Sequence, residues 1–270
     1  MDPVQLTLST CKLSLTPLPS GPLLEFTDFE TDITWLSGPI YARLLIAENP
    51  SFAYHTLDSV RWEETEASLS VSGRLGPVDT RMSFHLKESP TRLEELITIS
   101  NSSLNPISVS SLRIGSSWSP PKTWWAYWGY WRLGSFKADS RKAFSAEGSV
   151  SLTNLQEQVQ AASGDSATQL VPIGDSDDEG WVFCDEKRFL VLCRRVFPQS
   201  ARCPLDILFP HRPTPTLIMG GIRLPDHRGA QPQPLSPGLE TVGDTTVFIP
   251  GRGGWDEAHK AYRVSTEGDP

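Results

Sequence analysis

The sequence predicts an all-β protein, a large antiparallel sandwich closed by one short C-terminal helix. Three observations predict it. Apolar and polar residues alternate with a period of two from residue 4 to about residue 115, 23 Pro and 20 Gly interrupt the runs at short intervals, and a well-formed amphipathic helical pattern stands at the tail. Period two sends successive side chains to opposite faces of a pleated strand, and one dry face beside one wet face suits antiparallel pairing.

Taken in order, Val4, Leu6 and Leu8 alternate with Gln5, Thr7 and Ser9, which gives a first half-buried strand. Met82, Phe84 and Leu86 stand against Arg81, Ser83, His85 and Lys87, while Leu93, Ile97 and Ile99 share a parity opposed by Glu94 and Thr98. Turn chemistry falls at Pro19 to Pro22, Ser37-Gly38-Pro39, Gly73 to Pro77 and Asn101 to Pro106, where Gly supplies left-handed backbone and Pro fixes φ. Leu93 to Ile114 therefore reads as a hairpin turning at Asn101 to Pro106.

Between residues 145 and 180 the pattern weakens. Thr153 to Gln156 fits a capping box, and Leu152, Leu155 and Val159 fit a narrow helical face. A second hairpin is predicted from Trp181 to Cys184 and Phe189 to Val196, joined by Asp185 to Arg188. Strands follow at Leu205 to Phe209, Thr216 to Met219 and Thr245 to Ile249. Pro225 to Pro237 is expected to be a surface loop, because so many missing N–H donors do not suit a central strand. At the tail, Trp255, Ala258, His259 and Tyr262 share one helical face, with Asp256 and Glu257 in the first turn and Lys260 and Arg263 near the last.

Composition narrows the partners. The 24 Lys and Arg against 32 Asp and Glu leave a net charge of −8, which repels polyanions at long range, so nucleic acid is not an expected partner. Nothing matches a membrane span, and the first residues lack a basic region followed by an apolar one, so no membrane association and a cytoplasmic location are expected. The four cysteines, Cys11, Cys184, Cys193 and Cys203, form no CxxC pair. They read as small buried hydrophobes rather than zinc ligands, a Cys184–Cys193 disulfide being the alternative, and no cofactor is expected.

The clue to a ligand is aromatic. Five tryptophans fall within fourteen positions, Trp118, Trp124, Trp125, Trp128 and Trp131, with Tyr127 and Tyr130 between them. Such rings either fill a core, stack on the apolar faces of sugars, or form a protein interface. Trp124, Trp125, Tyr127, Trp128 and Trp131 are the candidate stacking residues, and Arg132 the candidate hydrogen-bond donor to sugar hydroxyls. Asp175 to Glu186 carries acidic residues near calcium-loop spacing, but strands and Pro172 flank it, so a solvated acidic loop leading into a hairpin is the preferred reading.

A long sandwich containing Leu93 to Ile114 and ending in Gly253-Gly254-Trp255-Asp256-Glu257-Ala258-His259-Lys260-Ala261-Tyr262-Arg263 resembles the N-terminal supersandwich of α-galactosidase-type glycoside hydrolases, the family 36 and raffinose-synthase group. The resemblance implies a galactose-mutarotase-like β-supersandwich over residues 1–250 and a linker helix and tail over residues 251–270, leading toward a catalytic barrel. That barrel, with its two catalytic aspartates, is absent from this chain. No residue here matches those aspartates, so no catalytic residue is assigned.

The expected function is thus a non-catalytic, carbohydrate-associated module, with a carbohydrate, a second copy of the chain or a catalytic barrel as partner. Two alternatives stay open. One is a protein-interaction module, and the other is a stand-alone mutarotase or epimerase, in which His85 or His211 with a remote Glu would shuttle a proton.

Overall fold

The computed structural model describes residues 3–18, 21–48, 51–118, 125–128, 135–136, 149–151, 168–170, 172–173, 180–195, 207–209, 217–225 and 231–266. The first strands are β1 (Val4–Thr7), β2 (Cys11–Thr16), β3 (Leu23–Asp28), β4 (Ile33–Pro39), β5 (Tyr41–Glu48), β6 (Ser51–Thr56), β7 (Asp58–Glu64) and β8 (Ser68–Leu75). Next come β9 (Val78–Lys87), β10 (Arg92–Asn101), β11 (Ile107–Trp118), β12 (Trp125–Trp128), β13 (Ser135–Phe136), β14 (Ser149–Ser151), β15 (Thr168–Leu170) and β16 (Pro172–Ile173). The last are β17 (Gly180–Cys184), β18 (Arg188–Arg195), β19 (Ile207–Phe209), β20 (Leu217–Leu224), β21 (Gln233–Leu235), β22 (Glu240–Val242) and β23 (Thr245–Arg252), followed by helix α1 (Trp255–Thr266).

Two large antiparallel sheets form the sandwich. A ten-stranded sheet runs β14-β12-β17-β18-β23-β10-β9-β8-β7, with β22 also paired to β10, and a seven-stranded sheet runs β15-β19-β20-β11-β5-β6, with β21 also paired to β11. A four-stranded sheet runs β1-β2-β3-β4, and β13 pairs with β16. The alternation read from the sequence is the reason the layers close: Met82, Phe84 and Leu86 of β9, Leu93, Ile97 and Ile99 of β10, and Ala42, Leu44 and Ile46 of β5 are all buried in one core. Leu13, Leu15, Phe26 and Trp35 of the small sheet belong to the same core.

The strands on either side of Asn101 to Pro106 form where the alternation placed them, but they are not a hairpin. β10 pairs with β9, β22 and β23, whereas β11 pairs with β5, β20 and β21. The connection is an arch that carries the chain from one large sheet to the other. Asn101 clasps it: its Nδ2 donates to the carbonyls of Asn105 and Leu235 at 2.8 Å each, and its Oδ1 accepts from the Ser103 N–H at 2.9 Å and hydroxyl at 2.7 Å. A short polar turn serves a hairpin or an arch equally well, and the edges of β10 are already taken by its neighbours.

Two other turns are strand. Ser37-Gly38-Pro39 closes β4, and a Cβ on Gly38 would lie 2.7 Å from the Ser117 Cβ, so glycine is there for a close approach of chains. Within the Pro-rich span, Gln233–Leu235 is β21 on the β11 edge, with Leu235 buried. It is not loop throughout, because β21 pairs with β11 on one side only among the described residues, and an edge strand tolerates the missing donor of Pro234. The second predicted hairpin is present as β17 and β18, from Gly180↔Cys193 to Cys184↔Phe189. The helix predicted around Leu152 to Val159 lies outside the described residues.

Helix α1 caps the outward face of the ten-stranded sheet. Gly254 donates its N–H to Glu257 Oε2 at 3.0 Å, which satisfies one of the free donors of the first turn. Ala258 and Tyr262 are buried against Val182, Cys184, Val191, Cys193, Val247 and Ile249 of β17, β18 and β23. Among the described residues no helix is long and apolar enough to cross a membrane.

Candidate functional site

The aromatic segment supplies β12, between β14 and β17 in the ten-stranded sheet. Its register is Trp125↔Cys184, Ala126↔Phe183, Tyr127↔Val182 and Trp128↔Trp181. The partners on β17 are buried to both sides: Trp181 and Phe183 lie in the sandwich core, while Val182 and Cys184 lie beneath α1. Trp118, the first tryptophan of the run, is a core residue, its ring edge-on to Phe183 with centroids 4.7 Å apart. Trp124, Trp131 and Arg132 lie outside the described residues.

Away from α1, the outward face of the same sheet is polar. Arg61, Ser72, Arg81 and Thr98 lie in one row across β7, β8, β9 and β10. They line a shallow cavity of about 630 Å³ together with Arg74 and Asp79. Arg74 pairs with Asp79 at 3.2 Å and Arg81 with Glu63 at 3.5 Å, but these pairs are half-exposed or more and add little to stability.

Beyond the cavity, His85 and Glu94 stand directly opposite each other on β9 and β10. Three cations converge on this one carboxylate: Arg92 Nε is 2.9 Å and Arg195 Nη1 3.5 Å from Oε1, and Lys87 Nζ is 3.2 Å from Oε2. Burial pushes the Glu94 carboxyl up, yet the hydrogen bonds from Arg92 and Lys87 and the charge of Arg195 prevail and hold it below the usual carboxylate range. An antiparallel cross-strand pair separates its Cβ atoms by about 5 Å. That gap does not admit a hexose, so His85 and Glu94 are not an acid and a base set on either side of a sugar ring. His211 lies outside the described residues.

Glu95 takes the opposite parity and points into the sandwich, where it is 1% exposed. Its Oε1 accepts the Ser116 hydroxyl at 2.7 Å, while Oε2 accepts no hydrogen bond of normal geometry. Burial is the largest influence and raises the carboxyl to about 7, against the Ser116 bond, the Arg113 charge and the nearby Gly221 N–H and Thr246 hydroxyl. Gly220 and Gly221, both with positive φ, bring β20 close: a Cβ on Gly220 would lie 2.8 Å from Glu95 Oε2, and one on Gly221 1.9 Å from the Ile114 carbonyl oxygen. On the seven-stranded sheet Arg43, Arg113 and Arg223 stand opposite one another across β5, β11 and β20, and all three make further polar contacts.

Neither glutamate was singled out from the sequence. The signal existed for Glu95, which shares the apolar parity of Leu93, Ile97 and Ile99. For Glu94 no local signal exists, since its partners come from three strands.

The cysteines behave as small hydrophobes. Among the described residues Cys11, Cys184 and Cys193 are buried, and burial first, then the neighbouring Asp185 charge, pushes the Cys184 thiol up to about 12. Asp185 itself accepts the N–H groups of Lys187 and Arg188 at 2.8 Å each, so this carboxylate is committed to the hairpin turn. Residues 175–179 of the acidic loop lie outside the described residues.

The architecture is that of a galactose-mutarotase-like β-supersandwich. Among solved structures it is similar to a galactose mutarotase related enzyme from Lactobacillus acidophilus, at 11% identity and TM-score 0.57, over 92% of this chain and 97% of that one. A galactose mutarotase-like protein from Lactobacillus casei aligns at 10% identity and TM-score 0.57, over 92% of this chain and all of that one (100%). A variant of the GH36 α-galactosidase AgaA from Geobacillus stearothermophilus, in complex with raffinose, aligns at 9% identity and TM-score 0.51, over 93% of this chain but 41% of that one. No family model and no curated relative matches the sequence.

Proposed function

We propose that this chain is a carbohydrate-associated β-supersandwich module without catalytic residues of its own, and that it holds sugar against the aromatic segment. Trp124, Trp125, Tyr127, Trp128 and Trp131 supply the stacking faces and Arg132 a hydrogen-bond donor. The observation that carries this reading is the place of β12: an aromatic strand beside β17, whose inward side is already an aromatic wall of Trp181 and Phe183 stacked at 5.8 Å. The fold shared with sugar-handling proteins supports it. The mutarotase alternative finds less support among the described residues, because Glu94 faces His85 too closely and is bound to three cations.

Titrating the intact chain with galactosides and glucans while following tryptophan emission tests the proposal. A saturable shift, weakened by Trp125→Ala or Trp128→Ala, is expected. A flat response at millimolar sugar rejects it, and change in optical rotation of a fresh sugar solution, catalysed by the chain, would replace it with the enzyme reading.

A further inference from the structure

Lys87 and Arg195 reach the same carboxylate from β9 and β18, two strands that flank β10 and β23 in the sheet. Beneath them Arg92, 5% exposed, already holds Glu94 Oε1 at 2.9 Å. Lys87 and Arg195 are part-exposed, at 44% and 35% of their side chains, and neither makes another ion pair or a hydrogen bond elsewhere among the described residues. An ammonium has three donors and a guanidinium five, so one contact to a carboxylate oxygen does not use up the donors of either. One shared carboxylate does not exhaust three cations, and the long 3.5 Å contact of Arg195 leaves its fork available for a second oxyanion.

We propose that Lys87 and Arg195 form an oxyanion site on the outward face of the ten-stranded sheet, and that its ligand is the carboxylate of an acidic sugar. This deepens the carbohydrate reading and rests on it. The surroundings favour that ligand. His85 and Ser83 continue the same face of β9 toward the cavity, and Ser83 shares a 3.2 Å hydrogen bond with Ser70, which gives a hydroxyl-lined floor for a sugar ring. A polyanion is disfavoured, because the chain carries a net charge of −8 and the basic cluster is local.

Calorimetric titration of the full chain with galacturonate, galactose and inorganic phosphate tests the site. Galacturonate is expected to bind, and Lys87→Ala combined with Arg195→Ala to weaken it at least tenfold while the variant keeps a cooperative thermal transition, and galactose is unaffected by the pair. Arg195→Lys should retain part of the affinity. Equal binding of galacturonate by the wild type and the double variant overturns the site, as does no binding at millimolar concentration. Phosphate binding as tightly as galacturonate overturns the sugar-acid assignment. If galacturonate fails while galactose still shifts tryptophan emission, only the oxyanion site falls; if both fail, the carbohydrate reading falls with it.

Discussion

Glu95 of β10 accepts a 2.7 Å hydrogen bond from Ser116 of β11, so a carboxyl group joins the two large sheets through the interior of the sandwich. Its burial, rather than any charged neighbour, sets its behaviour. The folded-state pKa of about 7 exceeds the ordinary 4.5, so between those values the folded chain binds the extra proton. The stabilisation is full below about 4.5 and is lost as pH rises through about 7, an effect of roughly 3 kcal/mol. Denaturant titrations from pH 5 to 8 should show falling stability, and Glu95→Gln should flatten that dependence. An unchanged slope in the variant would assign the proton to another group.

Asn101 uses both donors and both lone-pair directions of its amide to fasten the arch between β10 and β11. Asn101→Ala is expected to cost about 3 kcal/mol, since each neutral hydrogen bond contributes about 1 kcal/mol and buried carbonyls are left unsatisfied. Urea unfolding checks it; a loss under 1 kcal/mol would show that water replaces the amide.

Gly221 sits at a φ of +81°, with the space for a Cβ occupied by the Ile114 carbonyl. Gly221→Ala combines backbone strain with a steric collision at the register break of β11 and β20. A loss of several kcal/mol, on the order of 3 or more, is expected, seen as a marked drop in thermal midpoint or in soluble yield.

Tyr262 anchors α1 and is 2% exposed. Tyr262→Ala should cost about 3 kcal/mol and release the helix before the sandwich melts. Hydrogen exchange would show it as lost protection confined to residues 255–266.

Cys11 and Cys184 are buried, with thiols pushed up by burial. Neither is expected to react with iodoacetamide at pH 8 in the folded protein, and both should react in denaturant. Peptide mapping reads the outcome residue by residue.

Element positions were legible because burial on one face writes itself into the sequence period: Met82-Phe84-Leu86 at every second residue of a strand and Ala258-Tyr262 at helical spacing are where the patterns put them. The aromatic segment carries no such signal, since rings occupy both parities from Trp124 to Trp131 and no dry face is set against a wet one. Glu94 shows the limit most clearly. Its three cations lie two residues before it, seven residues before it and about a hundred residues after it, a meeting that no local pattern encodes.

By itself the sequence determined an antiparallel β class, the parity of strands such as β9 and β10 and the terminal helix, because these follow from local periodicity and turn chemistry. Only the tertiary structure decided that Asn101 begins an arch instead of a hairpin, that Gly38 and Gly221 exist for close approach, and that Glu94 and Glu95, adjacent in sequence, meet opposite fates on the two faces of one strand. Pairing partners are chosen by the closure of two sheets around a common core. That choice is a property of the whole chain, so residues far apart in sequence supply the charges and hydroxyls that give each glutamate its chemistry.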